Sequence, residues 1–145
     1  MIQEIKFNGA ILAIIIRAGF TGEGIHFFTP NNFSQQLGYM KREAGYEIAP
    51  HLHNEVTRSV NFTKEVLYIK SGKVRVDFYD NEKNYLESTL LDAGDVILLA
   101  FGGHGFKIIE SAEIIEVKQG PYLGEEDKTR FVSINERKVL FKGDV

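Results

Sequence analysis

The 145-residue chain contains no cysteine. That absence excludes disulfides, thiolate nucleophiles, iron–sulfur clusters and thiolate zinc sites together. Long apolar runs are missing too. The most apolar stretch, residues 10–16, covers 7 positions, against the roughly 20 that a membrane span requires. Arg17 follows it at once, with no small-residue cleavage site, so the expectation is a buried strand and a cytoplasmic location, not a secretory leader. There is also no excess of positive charge. Seventeen Lys and Arg against twenty Asp and Glu leave a net charge of -3. Such a surface offers a polyanion no basic face, which points away from nucleic acid and from membranes.

What is present suits one domain over residues 1–145. Hydrophobic residues make up 43% of the chain, including 11 Phe and 6 Tyr, enough to bury a core without staples. The patterning has period two or consists of short apolar runs separated by turn residues. Residues 5–17 read as a strand kinked at Asn8-Gly9, 25–29 as a short strand, and 37–43 and 46–53 as two more. Residues 65–70 and 73–79 read as strands around a tight turn at Ser71-Gly72, with Val74, Val76 and Phe78 on one face and Arg75, Asp77 and Tyr79 on the other. Strands over 85–91, 96–100, 105–110 and 113–118 complete the set, and the last dozen residues look irregular. Many short strands with frequent turn signals indicate an antiparallel sandwich or barrel.

His51 and His53 lie one residue apart on an expected strand, so their imidazoles leave the same face, about 7 Å apart, within reach of one cation. A His-x-His pair alone fits a surface or core pair as well as a metal site. The surrounding spacing adds to it. Five residues separate Gly45 from His51, and six separate Glu65 from Gly72. Downstream, Gly94-Asp95 opens an apolar run ending in Phe101-Gly102-Gly103-His104.

In these residues the chain resembles the cupin superfamily, over about residues 37–118. Gly45, His51, His53, Glu65 and Gly72 match its first motif, and Gly94 and His104 match its second. The chain departs from the pattern in two ways. Eleven residues, Asn54 to Lys64, stand between His53 and Glu65 where three or four are usual, and Ala100 replaces the second motif's proline, with one residue missing before His104. The resemblance implies an all-β double-stranded β-helix, or jelly-roll β-barrel, with His51, His53, Glu65 and His104 as ligands to one divalent transition metal: Fe, Mn, Ni, Cu or Zn. Glu55 continues the parity of the two histidines and is the rival fourth ligand. Glu65 is preferred because it heads an apolar strand, where a carboxylate without a cation or donor is costly.

Three imidazoles and a carboxylate leave open coordination positions, as catalytic sites do. The resemblance therefore implies an enzyme acting on a small polar molecule, a sugar or sugar-nucleotide derivative, as a dioxygenase or an isomerase or epimerase. The alternative is a non-catalytic module that binds metal or a small ligand. Which groups act catalytically is not specified by the sequence. A homodimer is expected, with the 10–16 strand as a contributor. His26 reads as a core or surface histidine. Tyr39, Arg42, Lys118 and Arg130 read as solvated or salt-bridged, and Gly102-Gly103 as the tight backbone that sets His104 at the barrel rim.

Overall fold

A computed structural model describes residues 1–142; the end of the irregular tail, residues 143–145, lies outside them. The protein is all-β, a strongly curled antiparallel sheet in the form of a half-barrel. Strands β1 (Ile2–Phe7) and β2 (Ala10–Ile16) form a hairpin. The expected single kinked strand is therefore corrected to two strands. Asn8 and Gly9 both take positive φ, 49° and 79°, the geometry of a two-residue type I′ turn, whose twist matches that of the flanking strands.

β2 continues to β7 (Val96–Leu99), and β7 to the first part of β5 (Glu65–Tyr79). The second part of β5 pairs with β6 (Tyr85–Asp92). Along its other side β5 pairs throughout with β8 (Gly103–Lys118). The run from Ala13 to Ile16 is buried on both faces because the sheet is covered on both. Ala13 and Ile15 join the inner core with Leu67, Val76 and Ile97. Ile14 and Ile16 pack outward with Leu37 and Leu98, under Phe20, Phe28 and Phe33. Beside that outer layer lies a separate hairpin of β3 (Gly24–Phe27) and β4 (Gly38–Lys41).

Two further expectations are corrected. Ser71-Gly72 does not end a strand, and the separate strands expected over 105–110 and 113–118 are the single strand β8. The pairing of β5 with β8 runs past this point through register shifts around Ser71 and Lys73. Such bulges bend a ribbon without ending it. Gly72 sits at φ 82°, and a Cβ there would collide with the carbonyl oxygen of Ser111, so glycine is needed both for conformation and for space. A fourth correction concerns residues 46–53, which form no strand. They belong to an irregular arm, residues 42–64, between β4 and β5. Among the described residues, no helix is long and apolar enough to cross a membrane.

The far face of the β5–β6 ribbon is closed by the C-terminal tail. Arg75 and Asp77, both buried, form a two-pronged ion pair at 2.7 and 3.0 Å. Arg75 also reaches Glu136, at 2.8 Å. The Ser88 amide donates to the Leu140 carbonyl at 2.8 Å. A charged face of β5 thus becomes interior because the tail supplies its counter-charge.

Candidate functional site

Glu65 opens β5, and His104 pairs with Phe78 near the other end of that strand. A straight strand would hold Glu65 and Phe78 about 43 Å apart. Instead the ribbon folds over at its bulges, and His104 Nε2 donates to Glu65 Oε2 at 3.1 Å. The bend at Gly72 is thus what assembles the site. The approach to His104 is equally constrained. Gly102 adopts φ 74°, and a Cβ there would lie 2.5 Å from the Tyr79 carbonyl oxygen. As expected, this glycine lets the backbone turn tightly ahead of the histidine.

The Glu65 side chain is largely buried, the residue being 8% exposed. Its hydrogen bond from His104 holds the carboxyl below its ordinary range against the opposing effect of burial, and the charges of His104 and Lys118 act in the same direction. Lys118 Nζ lies 3.5 Å from Glu65 Oε1 and 3.9 Å from Asp127. Lys118 is therefore salt-bridged and part of the site's charge balance. Glu65 and His104 face a cavity of about 660 Å³, whose apolar wall includes Tyr79, Phe101, Phe106 and Phe131. Tyr79 is fixed there by an edge-to-face contact with Phe131, and its hydroxyl accepts a hydrogen bond from the Ile134 amide at 2.9 Å.

Lys64 was not singled out by the sequence. It is buried, donates to the Ala100 carbonyl at 2.6 Å, and places its ammonium 3.6 Å from the centre of the Phe101 ring. Burial pushes its pKa down. The Lys64 carbonyl accepts from the Gln119 amide at 3.1 Å, which pins this root of the arm next to the end of β8. The only signal in the sequence was adjacency to Glu65, because a lone lysine in a polar stretch reads as solvated.

His51 and His53 occupy the exposed arm. Their rings lie 5.3 Å apart, and His51 Nδ1 bonds to the Ala49 carbonyl at 2.9 Å. They do not join Glu65 and His104 within the chain. Among the described residues, no group of three or more His, Asp or Glu is placed to hold a metal ion. Glu55 is exposed on the same arm. His26 bonds to the Glu23 carbonyl at 2.7 Å and stacks on Phe28, and Arg130 pairs with Glu125. Arg42 lies over the Tyr46 ring at 4.6 Å, at the other root of the arm.

An imidazole nitrogen and a carboxylate oxygen converging in one cavity are donors suited to a borderline divalent ion. Glu65 and His104 supply two such donors. No family model, curated protein or solved structure matches this chain.

Proposed function

We propose that the chain is a metal-dependent cupin, an enzyme that acts on a small polar molecule, a sugar or sugar-nucleotide derivative, in the cavity beside Glu65 and His104. The observation that carries this reading is their 3.1 Å contact. Two residues 39 positions apart, both placed by the motif spacing, meet at the wall of a cavity with the volume of a small-molecule site. His51 and His53 complete the ligand set from the arm. A divalent ion bound there supplies Lewis-acid polarisation of a substrate oxygen, or an open position for dioxygen. The protein's own groups hold the carboxylate ionised, through His104 and Lys118, and the aromatic side chains give the cavity an apolar wall.

A second reading is supported by the hydrogen bond itself. A His–Glu pair in a cavity is a ready proton relay, and an isomerase or epimerase can use one without metal. Metal titration separates the two readings. With a metal centre, Glu65→Gln lowers divalent-ion affinity at least tenfold, about 1.4 kcal/mol, while Glu55→Gln changes it less than about twofold. The reverse order would transfer the fourth ligand to Glu55. No uptake by the unaltered protein would leave the proton relay.

A further inference from the structure

The arm and the β8 edge are each incomplete in the same way. Residues 47–63 make no backbone–backbone hydrogen bond among the described residues, yet the arm exposes Tyr46, Ile48, Leu52, Val56, Val60 and Phe62, with Leu52 at 91%. Scattered exposed apolar residues are ordinary, but five within the 17 positions of the unpaired segment, next to Tyr46, are not. β8 is 16 residues long and, among the described residues, pairs only with β5. Its open side carries no proline. It displays Phe106, Ile108, Ile109, Ile115 and Val117 as exposed residues, Ile108 at 52%. A long edge that exposes apolar residues between its charges, Lys107, Glu110, Glu113 and Glu116, can still act as a template for another strand.

The sequence of the arm is written for that edge. Residues 47–53 alternate so that Ala49, His51 and His53 share one face of an extended segment while Ile48, Pro50 and Leu52 share the other, and Pro50, which has no N–H, requires that its nitrogen point away from β8. His104, Phe106 and Ile108 pair with Phe78, Val76 and Val74 and lie on the inner face of the sheet. A strand laid along β8 with its histidines inward brings them to the cavity face that carries His104.

From this juxtaposition we infer that the arm of one copy pairs with the β8 edge of a second copy, so that each centre takes Glu65 and His104 from one chain and His51 and His53 from its partner. This rests on the metal-site reading above. Within a single chain the arm is tied at both roots, by Arg42 on Tyr46 and by Lys64 on Gln119 and Ala100. Its middle nevertheless lies off the body, with the matching edge of that chain left open. A two-fold pair covers both arms and both edges with one self-complementary contact, closes the assembly, and completes both ligand sets.

The test uses two variants of the full chain. One carries His51→Ala and His53→Ala in the exposed arm, and the other carries Glu65→Gln and His104→Ala. Each alone retains less than a tenth of the metal of the unaltered protein. After unfolding and refolding together in equal amounts, half the dimers are mixed, and each mixed dimer has one complete site of two. Bound Mn(II) or Ni(II) then recovers to about a quarter of the normal content per chain. No recovery, where the unaltered protein refolded in the same way does bind metal, places all ligands in one chain and overturns the inference.

A second measurement does not depend on metal. The chain has no cysteine, so Ile48→Cys in one chain and Ile109→Cys in another, both on the outer face of the exchanged pairing, report only on their own proximity. Mixing and oxidising them gives the heterodisulfide if the arm is exchanged. A chain carrying both substitutions that closes only on itself, or a monomeric mass by light scattering at micromolar concentration, contradicts exchange. If the unaltered protein binds no metal, the functional reading fails, and the heterodisulfide alone decides the exchange.

Discussion

At the scale of single residues, the sequence pointed to Glu65 and His104, whose side chains meet at 3.1 Å, and the reason is local. Glu65 heads an apolar strand and His104 follows two glycines, so each is positioned by its own neighbours and by the bend at Gly72. Lys64 and Tyr79 were not legible as parts of the site, since what buries them is Ala100, Phe101 and Phe131, residues distant in sequence. Gly72 provides a test at this scale. Gly9 and Gly72 share a positive φ, but a Cβ at Gly9 meets nothing within 4 Å, whereas at Gly72 it meets the backbone of Ser111. Gly9→Ala is expected to cost about 1–2 kcal/mol, the left-handed penalty alone. Gly72→Ala costs more, by the displacement of β8, and also separates Glu65 from His104. Chemical denaturation of both variants checks the difference, and equal losses would mean that β8 gives way freely.

At the scale of elements, period-two patterning located most strands, because each has a partner strand within the chain to pair with. It failed in informative places. Asn8-Gly9 was read as a kink although it is a strong hairpin signal, and Ser71-Gly72 was read as a turn although it is a bulge. One dipeptide can serve either, and only the partner strand decides. The alternation of residues 46–53 predicted a strand that the chain does not form by itself. A strand needs an edge to pair with, and sequence pattern reports the face but not the edge.

The C-terminal tail yields a pH prediction at this scale. Hydrogen bonds from Arg75 and then Lys107 hold the Glu136 carboxyl at about 2, below its ordinary 4.5. A carboxyl depressed on folding stabilises fully above its unfolded value, and that contribution is lost as pH falls toward the folded value. Docking of the tail on β6 therefore weakens between about pH 4.5 and 2. In Glu136→Gln that pH dependence disappears, and the tail is already less protected at pH 7. Hydrogen exchange at the Ser88 amide, which bonds to Leu140, is the direct readout. Unchanged protection across the window would assign the docking to the apolar contacts of Leu140 and Phe141.

At the scale of the whole molecule, the fold class was legible and the closure of the barrel was not. Short strands, frequent turns and a doubly buried β2 lead to a curled antiparallel sheet. The sheet stops at the β8 edge among the described residues, and no pattern within one chain states whether a strand from the same copy or another pairs there. The absence of cysteine and the acidic balance bear on the molecule as a whole: any ion held here is bound by nitrogen and oxygen donors, which favours hard to borderline metals. Fold alone does not choose between oxygenase, isomerase and binding module.

The central claim is that three imidazoles and Glu65 share one ion. Elemental analysis of protein purified without oxygen, alongside His104→Ala, tests it most directly. The account predicts about one transition-metal ion per chain, falling below a tenth of that in the variant. Protein that is free of metal and takes up none of Fe(II), Mn(II), Ni(II) or Zn(II) would contradict it.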